Sequence, residues 1–270
     1  MDAITIIGAG GVGGIGATRC LTQDKSLYVQ GYDSSEWGQI VRECKEPNRR
    51  DNMRFPVPDQ AVLHFADHPK CYLPSREEIE ICQDKAMTAE VIGDLAPKTE
   101  WLRDTHGAGG KGAQMISEYL PGRNYSAELV FWDGKLLSFF IKERLGYDIK
   151  GSKEPTYQFG TSLISECILD KRLLDLAGKA IHKVADYVDK KPHGVYSVDF
   201  KESRDLVPKI TEINAGRFLT ASYVFYYKTG FNLPLLFVNK FLNKPYKIGK
   251  YPKGKTIIRQ IDSLPWIGEL

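Results

Sequence analysis

The sequence has no strong excess of either charge. Its 270 residues include 37 Lys and Arg against 34 Asp and Glu, a formal net charge of +3. A balance that mild gives no grounds for a nucleic-acid partner. The one lysine-rich stretch, Lys240 to Lys255, reads as solvated surface. No C-x-x-C pair occurs, and five cysteines are scattered (Cys20, Cys44, Cys71, Cys82 and Cys167). That odd, dispersed set argues against a disulfide scaffold and for reduced thiols in a cytoplasmic protein. No apolar run approaches the roughly 20 residues that a membrane helix needs. The N-terminus has no basic segment before its apolar one, so no signal peptide is expected. Low-complexity segments and internal repeats are also missing.

The rest suits an ordinary α/β protein. Hydrophobic residues make up 42%, and the length suits about two domains. Ile4 to Ile7 is a short β-branched run that ends in Gly8-Ala-Gly10-Gly11-Val-Gly13-Gly14-Ile-Gly16. A helix over Ala17 to Gln23 and a strand over Ser26 to Tyr32 ending at Asp33 complete a Rossmann pattern. Gly8-x-Gly10-x-x-Gly13 leaves three readings open: a dinucleotide site, a substrate-pocket turn, or close helix–strand packing. A helix follows over Gln39 to Cys44. Ser75 with Glu78 is a capping-box pair that opens a helix over Arg76 to Cys82. Asp84-Lys85 begins a second helix running to about Gly93.

Two stretches carry candidate chemistry. The first runs from the strand Trp101-Leu-Arg103 into Asp104-Thr-His106-Gly107-Ala-Gly109-Gly110-Lys111-Gly112. Such a turn lets backbone N–H groups approach phosphate closely. Its spacing is not that of a Walker A loop, and a tight surface turn is the alternative. The second is the pair of runs Val195 to Phe200 and Leu206 to Ile213, joined by the polar Lys201 to Asp205. Alternation over both runs predicts a hairpin of half-buried strands. Asp199 should lie near Glu212, with Asn214 on the same face. Two carboxylates and an amide oxygen make a hard donor set suited to Mg²⁺ on phosphate, and Arg217 could hold phosphate or carboxylate bidentately. Either acid alone would be read as the solvated face of a strand. Between these stretches, Tyr125 to Trp132 and Leu136 to Ile141 flank Asp133-Gly134, a hairpin signal. Ser162 to Asp170 and Leu173 to Val188 are expected as helices, with His182 solvated. Phe218 to Leu242 is expected as one packed helix, and Thr256 to Asp262 as a last strand.

The ordered set of glycine loop, Glu118-Tyr119-Leu120-Pro121-Gly122, and Asp199 with Glu212-Ile-Asn214 resembles the ATP-grasp superfamily of ligases. It is similar to the ATP-grasp part of the carbamoyl phosphate synthase large subunit and related carboxylate–amine ligases. The resemblance implies an α+β ATP-grasp fold, with a Rossmann-like domain over 1–73 and an ATP-grasp domain over 74–270. Relatives carry more chain between the glycine loop and the stretch matching Glu118 to Gly122, the hinge in that family, so the lid around 98–117 is shortened.

The resemblance also implies a reaction, an ATP-dependent ligation of a carboxylate to an amine through an acyl phosphate. The implied cofactors are ATP and Mg²⁺, with Mn²⁺ as a substitute. Arg103, His106, Gly107, Gly109, Gly110, Lys111 and Gly112 would meet the phosphates. Glu118, Tyr119 and Leu120 would receive adenine, and Asn124 the ribose. Asp199, Glu212 and Asn214 would bind metal. Arg103, Lys111, Arg144 and Arg217 would act in catalysis, although Arg144 could equally be a surface charge. Arg123 and Asn124 stand where relatives carry an acid for the ribose. That departure leaves a non-catalytic nucleotide-binding scaffold as an alternative, beside an NAD(P)-dependent oxidoreductase using Gly8 to Gly13 and Asp33. Partners are small-molecule carboxylates and amines, without nucleic acid or membrane, and a homodimer is allowed.

Overall fold

The computed structural model describes residues 2–7, 20–21, 23–24, 27–32, 72–102, 114–147, 162–219, 222–258 and 266–268. The glycine turn from Gly8 to Gly16, Asp33, the helix expected over Gln39 to Cys44, and the stretch from Arg103 to Gly112 lie outside these residues.

Strands β1 (Asp2–Ile7) and β2 (Leu27–Tyr32) pair in parallel, Asp2 opposite Leu27 and Ile7 opposite Tyr32. Cys20 and Leu21, in the connection between them, are helical and buried. A parallel pair needs such a crossover. Helix α1 (Arg76–Gln83) opens with the expected capping box: Ser75 accepts from the Glu78 N–H, and the Ser75 N–H donates to Glu78 Oε2 at 2.8 Å. Glu78 is itself buried, and its second oxygen accepts from the Tyr196 hydroxyl at 2.7 Å. The Asp84 carboxylate then caps α2 (Lys85–Ile92) by accepting from the N–H groups of Ala86 and Met87.

Two small strands, β3 (Thr99–Leu102) and β4 (Gln114–Ser117), pair antiparallel, with residues 103–113 between them. The main body is a seven-stranded sheet, antiparallel at every described pairing. It contains β5 (Asn124–Trp132), β6 (Lys135–Tyr147), β7 (Ser162–Ile168), β8 (Gly194–Glu202), β9 (Pro208–Ala215), β10 (Thr256–Ile258) and β11 (Trp266–Gly268), in the order β11-β10-β7-β6-β5-β8-β9.

Helix α3 (Lys171–Tyr187) covers one face of this sheet. Its Leu173, Ala177, Ala180, Ile181 and Val184 are buried at helical spacing, and its first turn is capped by Asp170. They join Ile79 and Ile92 of α1 and α2 against Tyr125, Ala127, Leu129, Ile141, Tyr196 and Val198 of the strands. Burying each large side chain in this layer contributes about 1.5–3 kcal/mol. Helices α4 (Tyr223–Thr229) and α5 (Leu233–Phe241) pack against the other face, where Phe140 and Val130 meet Phe225, Tyr226 and Leu233. The Asn232 side-chain amide donates to the Cys20 carbonyl at 2.8 Å, tying the start of α5 to the N-terminal region.

The structure corrects several expectations. Ser162 to Asp170 is not a helix: residues 162–168 form β7, between β6 and β10. Its buried face carries Ser165 and Cys167, and the apolar Ile164 and Ile168 stand on the half-buried face. Cys167 enters the aromatic layer with Phe140, and Ile168 packs toward α3, so the alternation that marks a half-buried strand is lost. Phe218 to Leu242 is two helices, because the backbone turns left-handed at Gly230 (φ 73°), a conformation that ends α4. β6 runs on through Arg144 to Tyr147, well past the Ile141 at which the return strand was expected to end. The last expected strand is present over Thr256–Ile258, and residues 259–262 lie outside the described residues.

His193 gives a pH test of this packing. Its Nδ1 accepts from the Asp133 N–H at 3.1 Å, and its ring lies 4.8 Å from that of Trp132. Burial pushes its pKa below the ordinary 6.5, against the opposing pull of Asp133 and Glu78. The unfolded chain therefore takes up a proton first as the pH falls. Stability drops as the pH descends from 6.5 toward the folded-state value, and levels off below it. An NMR titration should place the His193 midpoint below 6.5. A midpoint at or above 6.5 would show that the ring is not desolvated as described.

Candidate functional site

Antiparallel pairing puts directly opposed residues on the same face of a sheet. Asp199 of β8 lies opposite Glu212 of β9, and Ser197 opposite Asn214. On the other side of β8, Ser126 lies opposite Asp199 and Glu128 opposite Ser197. The rows continue into β6, where Lys142 faces Ser126 and Arg144 faces Asn124. A polar band therefore crosses four strands on the face away from α3, while the alternate residues fill the α3 core. A register shift after Asp199 leaves Thr211 as an extra residue, so that Phe200 pairs with Ile210. This β-bulge keeps Phe200 and Ile210 in the core while Asp199 and Glu212 stay together on the polar face.

The charged groups of the hairpin and Asn214 have partners, whereas the buried Ser126 hydroxyl has none among the described residues. Arg144 Nη2 donates to Asp199 Oδ1 at 2.5 Å, with both side chains mostly buried. An Arg217 guanidinium N–H donates to the Asn214 side-chain oxygen Oδ1. Glu212 is 37% exposed and faces Lys85 at 3.9 Å, a pair worth little by itself. Among the described residues, no three His, Cys, Asp or Glu side chains converge as a metal cluster. The hairpin offers two carboxylates and one amide, all oxygen donors. That chemistry fits Mg²⁺, which takes few protein ligands and completes its shell from phosphate and water.

The stretch after β4 is tied to the hairpin at several points. The Glu118 N–H donates to the Lys98 carbonyl at 2.7 Å, and its carboxylate accepts from the Lys98 N–H. Tyr119 is exposed, whereas Leu120 is buried. The Gly122 N–H donates to the Glu202 carbonyl, and the Glu202 N–H to that of Arg123, both at 3.0 Å. The Glu202 side chain is fully buried and accepts from the Tyr125 hydroxyl at 2.9 Å. Arg123 pairs with Glu202 at 3.3 Å and Glu143 at 3.9 Å. Burial raises the Glu143 pKa, and the Arg123 charge opposes that rise.

No family model and no curated protein sequence matches this chain. Solved structures do match. One is a protein from Archaeoglobus fulgidus described as belonging to the ATP-grasp superfamily, at 14% identity and a TM-score of 0.64, covering 100% of both chains. The chain has the ATP-grasp fold. Phosphoribosylglycinamide synthetase from Anaerococcus prevotii matches at 11% identity and a TM-score of 0.64, over 95% of this chain and 80% of that one. An L-amino acid ligase from Bacillus licheniformis matches at 14% identity and a TM-score of 0.55, over 95% of this chain and 79% of that one.

Within this ATP-grasp fold, Asn124, Arg144, Asp199, Glu212, Asn214 and Arg217 lie on, or just beyond, two adjoining hairpins. Glu118, Tyr119 and Leu120 lie on the stretch leading into them. Arg103, His106, Gly107, Gly109, Gly110, Lys111 and Gly112 lie outside the described residues. Sequence reading missed Glu128, Lys142 and Glu202, three charged side chains buried to 1% exposure or less. The available signal was a lone glutamate at the centre of Tyr125 to Trp132, and a lysine directly after the apolar Leu136 to Ile141. The described cysteines are poor nucleophiles: Cys20 and Cys82 are pushed above the ordinary thiol range, and Cys167 up to about 12, mainly by burial.

Gly122 is the tightest point of the approach to the hairpin. A Cβ there would sit 2.6 Å from Glu202 Cβ and 2.9 Å from the Glu202 carbonyl oxygen. Gly122→Ala should cost about 1–3 kcal/mol, the usual scale for overpacking, in a urea unfolding measurement. A change below about 0.5 kcal/mol would mean that the contact relaxes as freely as a surface site.

Proposed function

We propose that this chain is an ATP-dependent carboxylate–amine ligase, similar to the ATP-grasp part of carbamoyl phosphate synthase. The observation that carries the reading is the register of Asp199 against Glu212, with Asn214 and Arg217 following on the same hairpin of an ATP-grasp sheet. In the first step a substrate carboxylate oxygen attacks the γ-phosphorus of ATP, the bond to the β-phosphate oxygen breaks, and ADP leaves. In the second an amine attacks the acyl carbon, phosphate leaves with the bonding electrons, and the nitrogen loses a proton. Such chemistry needs placement and neutralisation of charge more than a protein nucleophile.

Asp199, Glu212 and Asn214 would hold one or two Mg²⁺ ions, which supply positive charge against the phosphates. Arg144, already seated on Asp199, would orient that carboxylate and face the acyl phosphate. Arg217 would steady the acyl phosphate. Arg103, His106 and Lys111 would clamp the transferring group, and the Glu118 to Leu120 backbone would receive adenine. We divide the chain into a Rossmann-like domain over 1–73 and an ATP-grasp domain over 74–270. The parallel β1–β2 pair supports the first and the antiparallel sheet the second. No helix among the described residues is long and apolar enough to cross a membrane, and we place the protein in the cytoplasm on its five scattered cysteines, of which the described three are free and buried.

The Arg123 pairings favour a second reading, a nucleotide-binding scaffold without turnover, since a cation stands where relatives carry an acid for the ribose. Substrate-dependent release of ADP would exclude that reading. The nucleotide site itself is tested by thermal unfolding. Mg·ATP at about 100 times its dissociation constant should add about 2.7 kcal/mol, a shift of several degrees. Glu212→Ala should abolish the shift. An equal shift in the variant would remove the hairpin from the site.

A further inference from the structure

The described part of the segment after β9, from Gly216 to Leu219 and at Ser222, is held on the sheet by side chains of three strands. The Ser197 hydroxyl donates to the Arg217 carbonyl at 3.0 Å. The Leu219 N–H donates to Glu128 Oε2 at 3.1 Å. Lys142 Nζ donates to the Ser222 hydroxyl at 2.8 Å. Glu128 and Lys142 are each 1% exposed, and Ser197 and Ser222 are fully buried. Burial raises the Glu128 pKa, and the Lys142 charge beside it is the largest opposing effect.

A buried Glu–Lys pair is poor economy for stability alone, since well-packed apolar residues of similar volume often serve a core as well or better. What apolar residues could not do is bind the backbone and hydroxyl of the segment that follows Arg217. The points of attachment lie at and just beyond that arginine: its own carbonyl, the N–H two residues on, and the hydroxyl of Ser222. Its guanidinium is in turn set against Asn214.

We propose that Glu128 and Lys142 are positioning residues for Arg217, anchoring the chain after the Glu-x-Asn strand so that its guanidinium meets the transferred phosphoryl group. The inference rests on the ligase reading above, in which Arg217 meets that group. The two therefore need separate readouts. The probes are Mg·ADP and the non-hydrolysable Mg·AMPPNP, titrated calorimetrically against the full chain. Their ratio of dissociation constants isolates contacts to the terminal phosphate, which a loss of general structural integrity would not change selectively.

Wild-type protein should bind Mg·AMPPNP more tightly than Mg·ADP, and Arg217→Ala should remove that preference. Glu128→Leu and Ser222→Ala should each lower it by about 10-fold, the scale for residues that orient a binding group, while leaving Mg·ADP affinity unchanged. Glu128→Gln, whose amide oxygen can still accept from the Leu219 N–H, should keep most of it. Should Glu128→Leu fail to fold, Ser222→Ala carries the same test with a smaller change. A wild-type preference lost in Arg217→Ala but intact in both Glu128→Leu and Ser222→Ala would overturn this inference and leave the ligase reading standing. No preference in the wild type, or one unchanged in Arg217→Ala, would overturn the role of Arg217 and this inference with it.

Discussion

The period of two along each strand is the constraint on which the rest of this structure depends. In β5 the residues Tyr125, Ala127, Leu129 and Phe131 go to the α3 core, which leaves Ser126 and Glu128 on the opposite side. Because the neighbouring strands pair antiparallel in matching register, the same alternation brings Lys142, Ser197, Asp199, Glu212 and Asn214 onto one polar band. A slip of one residue in β8 would turn Asp199 into the core and Val198 out of it. Core and candidate site are thus two readings of one register, and the bulge at Thr211 preserves both where the pairing shifts.

The polar band has a graded character. Its outer end, at Glu212, is open and weakly paired with Lys85. Its middle, at Asp199 and Asn214, is mostly buried and already faces arginine. Its inner end, at Glu128 and Lys142, is closed off beneath the segment carrying Leu219 and Ser222. Groups that must exchange partners with a ligand belong at the open end, and groups that only hold geometry can afford full burial. An inner end buried from bulk solvent also strengthens electrostatic interactions near it.

Much of the fold was legible because its elements follow local rules. The capping box at Ser75, the Asp133-Gly134 turn and the alternation from Val195 to Ile213 each name their structure with no knowledge of the rest of the chain. β7 was not legible, because its buried face carries Ser165 beside Cys167 while the apolar Ile164 and Ile168 stand on the half-buried face, and its apolar spacing fits a helix equally well. The break at Gly230 was hidden by the apolar and aromatic residues on either side of it. In the candidate site, Asp199, Glu212 and Asn214 stood out because they form a pattern within one hairpin. Glu128 and Lys142 did not, because their meaning lies in contacts with Leu219 and Ser222, about 80 to 90 residues away in sequence. Burial of a charge becomes visible only once the elements that cover it are in place.

The central claim is that the polar face of the β8–β9 hairpin binds a metal–nucleotide complex. Paramagnetic broadening of backbone amide signals by Mn²⁺ in the presence of ADP tests it most directly, since the ion reports its own position. The account predicts broadening centred on Asp199, Glu212 and Asn214, and its loss in Glu212→Ala. Broadening centred elsewhere, such as the cavity lined by Glu78, Asp133 and Asp189 beside His193, or none at all with ADP present, would contradict it.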